Sequence, residues 1–244
     1  MTRHIGGRQK DIVVQGDEIV TSLVTKGEGI VSGFETKTIA VPYRGRCEDR
    51  VTVIERDDGV VIAVADGAGG IGAGDQAAEA VIREITAVAS LAHDENAWCG
   101  ILRQIDCRVG VGESTCVVVA CSEHGLVGAT VGDSQAWLIR NGELRDLSAN
   151  RVRKPLLGSG AAVPIGFSHS STEGLLLVAT DGFCNYVKRD QLMKDIPWID
   201  FQVLPRKLVE MVRLPSGELW DDIGIVVCRL RHNTGKRTSY NFIG

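Results

Sequence analysis

Apolar residues along the chain fall into short β-branched runs separated by Gly and Asp turn signals, and into longer stretches with helical spacing. Residues 51–56 (VTVIER) and 60–65 (VVIAVA) flank Asp57-Asp58-Gly59, and the Asp-Gly step predicts an antiparallel hairpin. From 115 to 147 the same grammar repeats: TCVVVAC, a turn at 122–125, LVGATV, a turn around 132–134, AWLIR, Asn141-Gly142 and ELRDL. This reads as a β-meander of about four strands. LLLVAT (175–180) and IGIVVCRL (223–230) are continuous apolar runs, suited to strands buried on both faces or deep in a sandwich. Between them, Gly74–Ala92 sets Ala77, Val81, Ile85 and Val88 on one helical stripe, and Glu95–Val109 continues with Trp98, Ile101, Leu102 and Ile105. A third helical region, 189–213, is interrupted at Pro197 and Pro205. Strand pairs followed by blocks of helix, without regular β-α alternation, predict an α+β fold with helices covering antiparallel sheets.

A length of 244 residues with 44% hydrophobic positions fits one domain with a single large core, which needs neither disulfides nor a structural metal to fold. The charge sum, 27 − 31 = −4, and an aromatic content of 5% argue against a nucleic-acid binder. Seven cysteines are scattered without any C-x-x-C pair, several inside apolar runs, and read as small buried hydrophobes in a reducing compartment. Residues 1–17 hold no apolar leader segment, and no run reaches the ~18 apolar residues of a membrane span. The expectation is a cytoplasmic protein with neither nucleic-acid nor membrane partners. Residues 31–230 form the expected domain, between an N-terminal extension (1–30) and a basic, polar tail (231–244). Both ends read as surface tails, the first long enough to add an edge strand or dock a partner.

Several familiar chemistries fail on context. GAGGIG at 67–72 fits G-x-G-x-x-G, but no parallel strand with a ribose-binding acid follows its helix, so a dinucleotide site is a distant reading. No cysteine has an Arg six positions later, as a cysteine-based phosphatase would require. The histidines at 4, 93, 124, 169 and 232 show no metal-binding spacing, and GESTC at 112–116 lacks the closing Gly of a nucleophile elbow.

What remains is a set of acids at strand ends: Glu48-Asp49 before VTVIE, Asp66 after VVIAVA, Asp133 after LVGATV, Asp181 after LLLVAT, and Asp221-Asp222 before IGIVV. Any one of them could be an ordinary turn residue. Together they border runs too apolar to tolerate loose charge, and carboxylates gathered at one sheet end repel unless cations hold them. An oxygen-only set, with no His or Cys, suits magnesium or manganese better than zinc.

CEDR at 47–50, VADGAGG at 64–70, GESTC at 112–116, VGDSQAWLIRNGELRDLS at 131–148, LLLVATDG at 175–182 and DDIGIVV at 221–227 resemble, in order, the signature blocks of the metal-dependent protein serine/threonine phosphatases of type 2C. The resemblance spans about residues 44–230. It implies a central antiparallel β-sandwich flanked by helices, a four-layer α-β-β-α arrangement with a two-metal centre at one end. Carried over position by position, it makes Asp66 the carboxylate bridging two Mn2+ or Mg2+ ions, with the Gly67 carbonyl on one of them. Asp181 and Asp221 are implied ligands of the second ion. Glu48 and Asp49 match an early acidic pair acting largely through bound waters, one of the two facing away. Asp133 matches an acid that helps hold a third, weaker ion in some relatives. Asp222 stands where the family usually has Asn and is a neighbour of the ligands. Arg44, four residues before Glu48, matches the arginine that grips substrate phosphate, with Arg46 and Arg50 as nearby competitors.

The implied reaction is hydrolysis of phosphoserine or phosphothreonine in proteins: water activated between two cations attacks phosphorus in line, without a covalent phosphoenzyme. The implied partners are phosphoprotein substrates and a serine/threonine kinase that the activity opposes. The chain departs from the family pattern twice. Ala68 stands where animal members often place a His that serves as general acid, and the segment from Leu147 to Leu175 is shorter than the usual flap-bearing stretch. The competing reading is a catalytically silent relative that binds phosphoproteins or a kinase. Such a relative is expected to lack at least one of Asp66, Asp181 and Asp221, and all are present.

Overall fold

The computed structural model describes residues 11–15, 18–24, 33–68 and 73–231. In chain order the strands are β1 (Asp11–Gln15), β2 (Glu18–Val24), β3 (Gly33–Val41), β4 (Arg50–Arg56), β5 (Gly59–Ala65), β6 (Gly67–Ala68) and β7 (Glu113–Ser114). They continue as β8 (Cys116–Ser122), β9 (Gly125–Val131), β10 (Gln135–Arg140), β11 (Glu143–Asp146), β12 (Ile165–His169), β13 (Leu175–Ala179) and β14 (Ile223–Arg231). The helices are α1 (Gly74–Val88), α2 (Glu95–Asp106), α3 (Asp181–Cys184), α4 (Arg189–Asp195) and α5 (Leu204–Val212). A 3-10 turn at Ile196–Trp198 and the placing of Pro205 in the first turn of α5 account for the two proline interruptions.

Two antiparallel sheets carry twelve of these strands, one ordered β1-β2-β3-β14-β13-β10-β11 and the other β12-β9-β8-β5-β4, while β6 and β7 pair with each other. The continuous apolar runs are explained by where each sheet lies. In β5, Val60, Ile62 and Val64 face the seven-stranded sheet, while Val61, Ala63 and Ala65 pack under α1 and α2. In β14, Val226 and Cys228 face inward, while Ile223, Ile225 and Val227 pack beneath α3, α4 and α5. Each run therefore fills one side of the intersheet core and one side of a helix-sheet core, which makes four layers, α-β-β-α.

The expected hairpin of β4 and β5 forms, with Arg50 opposite Ala65 and Arg56 opposite Gly59. The expected four-strand meander does not. β8 and β9 pair in the five-stranded sheet, whereas β10 pairs with β11 and β13 in the seven-stranded one. At Gly132–Ser134 the chain steps between sheets: Gly132 adopts φ of +91° and donates its N–H to the Val152 carbonyl at 3.0 Å instead of closing a hairpin. A Cβ there would fall 2.6 Å from the Thr115 side chain, so the step needs glycine. Turn chemistry marks a reversal of direction but does not say which sheet receives the next strand. Two strands also stand where no strong pattern pointed, β3 beside β14 and β12 at the edge beside β9. β1 and β2 lie at the edge of the larger sheet, within the N-terminal extension. Beyond Arg231, the tail lies outside the described residues.

The segment between β11 and β12 is strapped to the body. Ser114 and Leu157 exchange backbone hydrogen bonds at 2.9 and 3.0 Å. The buried Asp106 carboxylate, at the end of α2, accepts the backbone N–H groups of Gly158 (2.7 Å), Gly160 (3.0 Å) and Ala162 (2.9 Å). One side chain thus satisfies three loop donors that would otherwise be shielded from water. Asp106→Ala is expected to destabilise the fold by about 3 kcal/mol through those orphaned donors. Urea denaturation measures it, and a loss under about 1 kcal/mol would mean that water replaces the carboxylate.

Candidate metal centre

Antiparallel pairing brings the acidic residues to one end of the sandwich. The end of β5 lies beside the start of β4, and the end of β13 beside the start of β14, so Asp66 comes beside Asp49, and Asp181 beside Asp221-Asp222. β9 runs parallel to β5, with β8 between them, so its exit at Asp133 reaches the same end. Carboxylate oxygens of Asp66, Asp133 and Asp181 all lie within 4.8 Å of one another, each residue half-buried. Asp133, which the resemblance made an accessory acid, belongs to this trio, and Asp221 stands outside it.

Asp66 is fixed through its backbone. Its N–H donates to the Thr115 hydroxyl at 3.0 Å, and its carbonyl accepts from Thr115 N–H (2.8 Å) and the Ser114 hydroxyl (3.0 Å). The Thr115 and Ser134 hydroxyls hydrogen-bond at 2.8 Å, which couples the Asp66 turn to the residue after Asp133. Burial, followed by the charges of Asp181, Asp221 and Asp133, pushes the Asp66 carboxyl up to about 7. Burial and the charges of Asp133 and Asp221 push Asp181 up to about 6. The Asn185 side chain donates to Asp181 Oδ2 at 3.0 Å.

Asp49 is 2% exposed, and its Oδ2 accepts from the Thr180 hydroxyl at 2.7 Å. Burial and the neighbouring Asp66 charge raise its carboxyl well above the ordinary range. Asp49 therefore lies buried behind Asp66, held by Thr180. Glu48 lies elsewhere, over the start of α1, where a Cβ on Gly74 would come 2.6 Å from its Oε2. Burial, with the charges of Asp222, Asp75 and Asp221, raises its carboxyl. Gly67 and Gly74 approach so closely that a Cβ on either would fall 2.1–2.4 Å from the other's carbonyl oxygen. Residues 69–72 of the GAGGIG run lie outside the described residues.

Asp221 is exposed and accepts the Asp222 N–H at 2.9 Å. Asp222 clamps the loop before β4: Oδ1 accepts Tyr43 N–H at 2.7 Å and Oδ2 accepts Glu48 N–H. Its two oxygens meet two donors, a task that an Asn side chain in one orientation could not complete. Arg44 is not joined to the trio. It lies over the Tyr43 ring at 4.6 Å and pairs with Glu218 at 3.4 Å, both partners being largely exposed. Arg46 pairs with the buried Asp75 at 2.9 Å, and Arg50 is spent on the carbonyls of Cys47 and Asp49. The cation that does reach the trio is Arg153, missed in the sequence, whose Nη2 and Nε donate to Asp133 Oδ2 at 2.7 and 3.2 Å. Thr180 and Thr115 were also missed; their only signal is adjacency to apolar runs and acids.

This donor set fits hard divalent cations. It is oxygen-only and already organised, and its repulsion is relieved only in part by protons and one guanidinium. Thiol chemistry finds no support, since all seven cysteines are free and burial pushes Cys116 up to about 12.

Residues 44–155 match the family model described as Protein phosphatase 2C. Similar solved structures include the catalytic domain of the serine/threonine protein phosphatase PstP with two manganese ions (19% identity, TM-score 0.67). They also include PppA, a key regulatory component of T6SS in Pseudomonas aeruginosa (21%, 0.67), and the PPM Ser-Thr phosphatase MsPP from Mycobacterium smegmatis with cacodylate (23%, 0.66). In each case 82% of this chain and 99% of the other are covered. At these identities the likeness establishes the fold. No curated protein matches the chain.

The raised carboxyls give the ion-free protein a specific pH response. Asp66 and Asp181 hold protons more tightly folded than unfolded, where Asp titrates near about 3.9. The folded state therefore binds extra protons between about pH 4 and pH 7, and stability falls as pH rises through that window. With chelator present, Tm is expected to drop by several degrees from about pH 5 to about pH 7.5, and Asp66→Asn to flatten the slope. A Tm that rises across this interval would contradict the assignment.

Proposed function

We propose that this chain, a type 2C protein phosphatase by family and fold, hydrolyses phosphoserine and phosphothreonine in phosphoproteins with manganese or magnesium held by its acidic sandwich end. The observation that carries the reading is the convergence of Asp66, Asp133 and Asp181 within 4.8 Å from three separate strand ends. Two divalent cations bound there would acidify a water lying between them and neutralise charge on the phosphate oxygens.

The chain's own residues have distinct tasks. Asp66, with its backbone locked by Thr115 and Ser114, would hold the ions through its carboxylate, with the Gly67 carbonyl as a further oxygen. Asp181, already held by Asn185, and Asp221 would be further ligands. Asp49 positions Asp66 from behind, and Glu48 acts through bound water. Arg44 grips the substrate phosphate. Its present partner Glu218 is a surface pairing worth at most about 1 kcal/mol, so release is cheap, whereas Arg50 cannot leave the carbonyls it holds.

Position 68 carries an exposed Ala paired across to Glu113, and it offers no acid for the leaving group. The departing serine or threonine oxygen must take its proton from water, which slows poor leaving groups more than good ones. Strapping of the 147–164 segment leaves the acidic end open, which favours a flat phosphoprotein surface over a short peptide. The opposing partner is a serine/threonine kinase. The seven free thiols fit a reducing, cytoplasmic setting, and no helix among the described residues is long and apolar enough to cross a membrane.

Hydrolysis of p-nitrophenyl phosphate by purified protein with manganese tests the activity, because its good leaving group needs no general acid. Turnover is expected to vanish with chelator and to fall about a hundredfold or more in Asp66→Asn. A folded, manganese-loaded protein without turnover would leave a silent phosphoprotein-binding module. Substrate shape is a separate measurement: kcat/KM is expected to be higher for a folded phosphoprotein than for a peptide with the same phosphosite. A strong peptide preference would reverse that reading.

A further inference from the structure

Asp133 differs from its two partners in having a cation of its own. Arg153 lies on the strapped segment after β11, and its placement is built from the backbone outward. Gly132 N–H, one residue before Asp133, donates to the Val152 carbonyl, one residue before Arg153, so the two segments run side by side in fixed register. Leu156 packs against Gly132 from the same segment, 3.1 Å from where a Cβ would be. From that anchored position the guanidinium sends both Nε–H and Nη2–H to one oxygen of Asp133, at 3.2 and 2.7 Å. The carboxylate is 22% exposed and the guanidinium 72%, so the pair lies on the solvent side of Asp133.

We propose that Arg153 is the resident cation on the Asp133 side of the centre, so that this chain loads two divalent ions and excludes the third that the family resemblance would place at Asp133. The inference rests on the metal-dependent phosphatase reading and departs from it in ion count. The physical reason is charge. An ion at Asp133 would either displace a guanidinium whose backbone is tied down or sit beside it. A +2 ion next to a +1 group, mostly in water, loses about tenfold or more in affinity. A tethered side chain also stays at the site, whereas a weakly held ion must be drawn from solution. Ion-pair geometry reinforces this, because the two N–H groups fix the planar head where a single charge would wander.

Manganese bound per chain, counted by equilibrium dialysis at millimolar free manganese with elemental analysis, tests the proposal without reference to turnover. Wild type is expected to take up two ions. Arg153→Ala is expected to take up a third, with at least about tenfold tighter binding at that position than any third uptake by wild type. Arg153→Lys, which keeps the charge, is expected to stay at two, and Arg153→Ala with Asp133→Asn to return to two. Arg153 is exposed, so these variants are expected to fold, which melting in chelator verifies. Three ions on wild type, only two on Arg153→Ala, or three on the double variant would each overturn the proposal. A wild-type count of zero would overturn the metal-centre reading itself.

Discussion

Carboxylates gathered at a partly dry end of a β-sandwich repel one another, and much of the local structure answers that repulsion. Two unit charges 4 Å apart at a protein surface interact by about 4 kcal/mol, and Asp66, Asp133 and Asp181 lie within that range. Burial is the leading cause of the upward shift in Asp66, Asp181, Asp49 and Glu48, and neighbouring carboxylates contribute to each. The structure relieves the strain in three chemically different ways. The Thr180 hydroxyl donates to Asp49, behind Asp66. A guanidinium sits on Asp133. Backbone N–H groups from Tyr43 and Glu48 converge on Asp222. A divalent ion is the one remedy that neutralises several of these charges at once, and its binding would lower the raised proton affinity of Asp66.

Such a cluster survives because it hangs from rigid strands. Asp66 follows β5, which is laddered to β4 on one side and β8 on the other, and whose residues from Val60 to Ala65 are fully buried. Asp181 follows β13, laddered to β10 and β14. A strand buried on both faces cannot slip by one residue without exchanging its two cores, so register at these ends is strongly specified. The unfavourable charges are therefore attached where displacement costs most. Asp133 is the exception, standing on a crossover between sheets, and it is also the acid that carries its own cation.

The sequence is most legible where short-range pattern and burial coincide. Asp58-Gly59 between two β-branched runs forms its hairpin, the helical stripe of Ala77, Val81 and Ile85 is buried against the smaller sheet, and three of the acids at strand ends, Asp66, Asp133 and Asp181, lie together. Legibility fails where partners are distant in sequence. The Gly132–Ser134 turn looks like any hairpin turn, and only the long-range pairing of Gln135 with Ala179 decides that β10 joins the other sheet. β12 holds Gly166, Ser168 and His169 in five residues, an edge strand with too little apolar alternation to announce itself. Arg44 and Arg153 illustrate the same limit in side chains. Spacing from Glu48 singled out the first, yet it pairs with Glu218, 174 residues away, while Arg153 owes its place to a backbone contact between Val152 and Gly132.

That contact also bears on how the acidic end can change shape. The segment from 151 to 162 is held at Gly132, at Ser114 and at three donors on Asp106, so its tethers are spread across the β9–β10 crossover, the β7 edge and the end of α2. Lifting it as a unit would break all of these together, including three hydrogen bonds to a buried charge. The backbone beneath Arg153 is therefore held in place at this end of the sandwich. The 151–162 segment is thus not free to close over the acidic end, and what it contributes to selectivity is the charge and shape it already presents there.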